Sequence, residues 1–167
     1  MAGTFRMGPV QYIQVTTDRY TKLGYEPYRY FHAEEAPPWS PMNKPLAACR
    51  LGVVATAGIY VKGQIAFFYK DDASYRVIPK ETPPDILRFS HVTEHYLSSA
   101  RQDPNTVIPL KPLLRLEREG RIGEVASDIF SCMGGIYSQR KVRDELAPAL
   151  AEQFAQQEVD VVLLVPM

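Results

Sequence analysis

Residues 50–58 read RLGVVATAG, a short valine-rich run that ends on Thr56, Ala57 and Gly58. A run of this length, closed by a glycine turn and too short for a helix, reads as a buried strand. Residues 159–166, VDVVLLVP, have the length and branched composition of a central parallel strand. Such strands need helices to cover them, and two candidates lie between the runs. Residues 110–119 place Leu110, Leu113, Leu114 and Leu116 on a helix that tolerates Pro112 in its first turn and stops at Gly120. Val142, Leu146, Leu150 and Phe154 recur every four residues along a second amphipathic helix, which Pro148 kinks or restarts. Residues 75–78 and 86–90 read as further short strands, and 122–132 as a weaker one leading to Gly134 and Gly135. Strand, turn and helix alternate, which predicts an α/β fold with a mostly parallel sheet flanked by helices, in a Rossmann-like three-layer arrangement.

Working outward, residues 15–23 read as a short helix with Thr16 or Thr17 as N-cap and Gly24 as its stop. Residues 28–45 then pack Pro37, Pro38, Pro41 and Pro45 beside Tyr28, Tyr30, Phe31 and Trp39. That mixture sustains neither helix nor central strand and reads as an extended arm whose aromatic rings lie on the body of the domain. The chain of 167 residues therefore divides as one α/β domain, with helix and arm over 1–45 and sheet core over 46–167.

Composition narrows the function. Lys and Arg number 19 against 19 Asp and Glu, with no basic run, which removes the usual electrostatic reason to expect nucleic acid or an anionic membrane as partner. No apolar run is long enough to span a bilayer and residues 1–10 lack a signal-peptide pattern, so a cytoplasmic location is expected. Two cysteines, Cys49 and Cys132, make neither a disulfide scaffold nor a four-thiolate zinc site.

Several residues carry chemistry. His91-Val-Thr-Glu94-His95 spells H-x-x-E-H, which holds zinc only on a real helix with a third ligand, and the segment follows a strand end instead. No metal is therefore expected. His91, at the carboxyl end of a strand, is better placed as an acid/base or hydrogen-bonding group in a crevice, with a satisfied structural histidine as the alternative. Asp71, Asp72, Ser74 and Arg76 suit either an anionic substrate or a solvated turn. Asp103 and Asn105 suit loop bracing. Cys132 reads either as an exposed thiol near a helix start or as a small buried hydrophobe.

The order of motifs says more. YxxLGYxPYR (20–29), RLGVVATAGIYVKGQ (50–64), KDDASYRVIP (70–79), SH (90–91), DPNTVIPL (103–110), EGRIGE (119–124), MGGIYSQRKVRDELAPALAE (133–152) and VDVVLLVP (159–166) follow in series. The chain resembles the selenoprotein B family of glycine, sarcosine, betaine and D-proline reductases, especially its shorter bacterial members. The resemblance implies a reductase component that attacks an activated amino-acid-like substrate with a selenocysteine or cysteine and cleaves a carbon–nitrogen bond reductively. It also implies a partner reductase subunit and a thioredoxin-like electron donor. A chain ending on a central strand leaves apolar surface uncovered, so a dimer or larger assembly is expected. The pocket residues the resemblance favours are His91 as the catalytic group, with Ser74, Arg76, Ser90, Asp103 and Asn105 binding substrate. Arg76 is expected on a substrate carboxylate.

In the family pattern the redox selenocysteine or cysteine follows directly after the strand that VDVVLLVP resembles, and the sequence given stops at Met167. The expectation is a selenocysteine just after Met167 and a product inactive in reduction without it. The competing reading is a non-catalytic α/β subunit that binds a partner protein.

Overall fold

A computed structural model describes residues 11–27 and 32–167. The chain forms two units, 1–40 and 41–167, each described by itself. In the first, helix α1 spans Tyr12–Lys22 with Gln11 at its N-cap position, so Thr16 and Thr17 lie inside the helix rather than at its start. Thr17 serves there through its carbonyl, which accepts from the Thr21 hydroxyl at 2.9 Å. Trp39 of the proline-rich arm is 86% exposed. Tyr28, Tyr30 and Phe31 lie outside the described residues.

The second unit is built on β1 (Arg50–Ala55), which is buried at five of its six positions. A strand buried on both faces needs a neighbour on each edge, and β1 has them. On one side it pairs in parallel with β5 (Glu124–Val125) and β6 (Asp128–Cys132). On the other it pairs in parallel with β7 (Val161–Val165). Arg50 sits opposite Glu124 but Val54 opposite Phe130, so the partner carries two extra residues and bulges at Ala126 and Ser127.

The expected α/β class holds, with two corrections. The sheet is mixed: β3 (Tyr75–Pro79) runs antiparallel to β6, and β2 (Ile59–Val61) forms a separate antiparallel pair with β4 (Leu87–Phe89). A parallel neighbour needs a helical crossover, and no helix lies between β1 and β3, so the chain returns antiparallel. The second correction concerns β7, which is an edge strand and not the central one: it pairs with β1 alone, and Leu164 on its outer side is 69% exposed.

Side chains of β1 alternate between two cores. Leu51, Val53 and Ala55 join Ile129, Leu110 and Leu113 of α3 (Leu110–Arg118). Val54 faces the other way and joins Phe130, Leu146 and Leu150, with the rings of Tyr75, Phe130 and Phe154 stacked edge to face. The helix on that face opens as α4 (Gln139–Lys141), widens into a π-helical stretch over Val142–Leu146 and continues as α5 (Ala147–Gln156). Pro148 follows directly on that widened turn inside continuous helical backbone; its ring cannot donate to the preceding turn, and the π-helical stretch is where the helix accommodates it. A further short helix, α2, spans Ser98–Gln102.

Candidate functional site

The chain leaves β1 toward the α3 face and leaves β6 toward the α5 face. Adjacent parallel strands whose connections diverge in this way open a crevice at their carboxyl ends, the place where open α/β sheets bind ligands. Here those ends are Thr56 after β1, Met133 and Gly134 after β6, and Pro166 and Met167 after β7.

Backbone geometry brings His91 to the same place. Gly58 has a φ of +62°, donates its N–H to the Cys132 carbonyl at 3.0 Å and accepts from the Ser90 N–H at 2.9 Å. A β-carbon on Gly58 would stand 1.9 Å from the Ser90 carbonyl oxygen, so only glycine lets β4 end this close to β1. The next N–H, that of Ile59, donates to the buried Ser131 hydroxyl at 2.8 Å. Across the crevice the Met167 N–H donates to the Thr56 hydroxyl at 2.8 Å, and the Thr56 N–H to the Val165 carbonyl at 3.0 Å.

His91 is 8% exposed. Its Nδ1 accepts from the Thr93 N–H at 3.1 Å and lies 2.7 Å from the Thr93 hydroxyl. Its Nε2 is buried with no hydrogen-bond partner among the described residues. That atom faces Gly134, where a β-carbon would lie 3.1 Å from Nε2, 2.9 Å from the Thr56 carbonyl oxygen and 2.6 Å from that of Met167. Burial lowers the His91 pKa below the ordinary 6.5 and favours the neutral ring. A buried ring nitrogen without a partner is costly and rare, which marks the spot as one where a ligand atom or a further part of the protein completes the bonding.

The expected site residues fall into two groups. Ser90, the neighbour of His91, donates its hydroxyl proton to the Phe67 carbonyl at 3.0 Å. Arg76 approaches the same loop from β3: Nε donates to the Ile65 carbonyl at 2.7 Å, and the guanidinium lies 4.2 Å from the centre of the Phe67 ring. Its remaining donors reach Ser74 Oγ at 2.8 Å and the Tyr75 carbonyl at 2.9 Å, with Asp72 3.9 Å away. Ser74 in turn donates to the Asp72 carboxylate. Burial raises the Asp72 pKa, but hydrogen bonds from Ser74 and the Phe68 N–H, together with the Arg76 charge, outweigh it and hold the carboxyl below its ordinary value. Ser74, Arg76, Ser90 and His91 therefore form one connected structure, in which the Arg76 fork is engaged by the protein itself.

Asp103 and Asn105 stand apart. Asp103 Oδ1 accepts from the Asn105 N–H at 3.0 Å, and Asn105 Oδ1 accepts from the Lys111 N–H at 3.0 Å, at the entry to α3. Asn105 also lines a groove of about 260 Å³ with Lys80, Pro84, Leu87 and Lys111, none of which borders His91 Nε2.

Cys132 is buried and far from the start of α4 in sequence; burial pushes its thiol up to about 11, the opposite of an activated nucleophile. The H-x-x-E-H segment is not on an α-helix: Glu94–Leu97 is a 3-10 turn, and Glu94 pairs with Arg101. Among the described residues no three metal-binding side chains cluster. Sequence reasoning missed Thr56 and Thr93; Gly134 was visible only as part of a glycine pair.

These features define an α/β domain with a ligand crevice at the carboxyl ends of its parallel strands. Residues 87–166 match the family model of glycine/sarcosine/betaine reductase selenoprotein B. Over 128 residues the chain is 32% identical to D-proline reductase subunit gamma of Acetoanaerobium sticklandii, a match covering 77% of this chain and 52% of that protein. The chain is thus similar to the selenoprotein B family of these reductases, and spans about half the length of the relative it matches. No solved structure matches it. No helix among the described residues is long and apolar enough to cross a membrane.

Proposed function

We propose that the chain is the scaffold of a selenol- or thiol-dependent reductase component that cleaves a carbon–nitrogen bond of a small amino-acid-like substrate. It is built on a Rossmann-like core of β1, β6 and β7. The single observation that carries this reading is the unpartnered, buried Nε2 of His91 beside Gly134 and Met167. In the family pattern a selenocysteine or cysteine follows directly after the strand that β7 resembles, and on this proposal it lies beside that atom. The bare Gly134 and the orphaned nitrogen fit such a group: one leaves space, the other offers a hydrogen bond. A selenol there is largely ionised at neutral pH and supplies the nucleophile, where a thiol is not and needs an activating neighbour. Within this chain, Thr56 anchors the end of β7, and Gly58 and Ser90 seat His91. Ser74 and Arg76 brace the 65–67 loop behind it. Asp103 and Asn105 shape the loop into α3. The electron donor is a thioredoxin-like protein, and a partner reductase subunit presents the substrate, in keeping with the matched relative being named as a subunit.

The test is an assay of the full-length protein with a dithiol donor and D-proline, glycine, sarcosine or betaine in turn. Reduction of one of them, lost on His91→Phe in a variant that keeps its melting temperature, is the expected result. Full activity in that variant contradicts the placement of the site.

A second reading, a non-catalytic subunit that docks a partner reductase subunit, draws on the exposed outer side of β7 at Val162 and Leu164. A full-length protein that stays monomeric alone and with its partner subunit contradicts it.

A further inference from the structure

We propose that Thr93 holds His91 as the tautomer with its proton on Nε2. His91 is then a hydrogen-bond donor to an anionic acceptor atom in the crevice, not a general base. This rests on the reading of the crevice as the reaction site.

Two groups of Thr93 meet the same ring nitrogen. The hydroxyl, 2.7 Å from Nδ1, donates or accepts and so follows either tautomer. The backbone N–H, 3.1 Å from Nδ1, only donates. It requires a lone pair on Nδ1, and in a neutral imidazole the proton then sits on Nε2. Protonation of both nitrogens would turn Nδ1–H against the Thr93 N–H, and burial opposes the charge as well. What emerges at Gly134 is thus an N–H with no acceptor in the described residues. A general base needs a lone pair at that position, and the geometry spends the lone pair on the Thr93 side.

Two anions have the required chemistry, a substrate carboxylate and the protein's own thiolate or selenolate. Nitrogen-15 correlation spectra of the full-length protein, with the His91 ring assigned by its loss in His91→Gln, read which nitrogen carries the proton. The expected pattern is Nε2–H in the wild type. Thr93→Val loses the hydroxyl, which suits either tautomer, and keeps the backbone N–H, so its ring is expected to stay Nε2–H. An Nδ1–H ring in the wild type, or in a folded Thr93→Val protein, overturns the proposal. Saturating glycine shifts the Nε2–H resonance when the acceptor is a carboxylate, and alkylation by iodoacetamide shifts it when the acceptor is the thiolate or selenolate. A resonance moved by neither overturns the anion assignment. The spectra report the tautomer whether or not the protein reduces anything, so this inference and the reductase reading fail by different results.

Discussion

Gly134 stands against His91 so closely that a β-carbon on it would lie 3.1 Å from Nε2, and 2.6 Å from the carbonyl oxygen of Met167 on the far strand. The crevice is therefore assembled around an absent side chain. Three chain segments distant in sequence, ending at Thr56, Gly134 and Met167, approach each other only because that position is bare.

Gly134→Ala is accordingly expected to displace either the end of β7 or the His91 ring, because two of its three contacts are backbone oxygens that cannot rotate away. Overpacking of this kind costs about 1–3 kcal/mol. Urea unfolding reads the loss, and a shifted His91 ring signal in the folded variant reads the displacement. A Gly134→Ala protein with wild-type stability and spectrum contradicts the packing described.

Arg76 acts as a brace. Arg76→Ala removes hydrogen bonds to the Ile65 and Tyr75 carbonyls and the stack on Phe67. The expected loss is about 2 kcal/mol. Arg76→Lys recovers little of it, since an ammonium lacks the planar fork. The measurement is the urea midpoint of both variants, with faster amide exchange in the 65–67 loop as the local signature. Unchanged stability in Arg76→Ala would return the guanidinium to the substrate carboxylate role.

The buried ring of His91 links stability to pH. Its folded pKa lies below 6.5, so between the two values the unfolded chain binds more protons and stability rises with pH. This contribution is complete above about 6.5 and is lost as pH falls through the folded value. Unfolding midpoints collected from pH 7.5 down to 4.5 are expected to fall more steeply for wild type than for His91→Gln. Parallel slopes would contradict a buried neutral ring.

Cys132 supplies the opposite sign. Its thiol is raised from 9.0 to about 11 by burial. The unfolded thiol ionises first as pH rises, so stability declines through that interval, by on the order of 2 kcal/mol. Cys132→Ala flattens the decline. Iodoacetamide at pH 8 is expected to leave Cys132 unmodified until the protein is unfolded, and rapid labelling of the native protein would contradict its burial.

Much of the sheet was legible locally. The Val53-Val54 run and its glycine turn mark β1, and the leucines of 110–116 mark α3, because both signals are carried by neighbouring residues. The place of β7 was not. A valine-leucine run shows that a strand forms, but which edges find partners depends on chain segments far away, and here only β1 meets it. The direction of β3 was hidden for the same reason. His91 was legible as a strand-end histidine, whereas Thr93 looked like an ordinary polar residue inside H-x-x-E-H. Arg76 looked like a free guanidinium, because the Ile65 carbonyl that engages it is eleven residues away and reaches it through the fold.

The most direct test of the central claim is to read the coding sequence past Met167 together with the intact mass of the protein made in its native host with selenium supplied. The expected result is an in-frame selenocysteine or cysteine codon immediately after Met167, and a product heavier by that residue and whatever follows it. A stop codon at that point, with a mass ending at Met167 in selenium-fed cells, would contradict a reaction centred on His91.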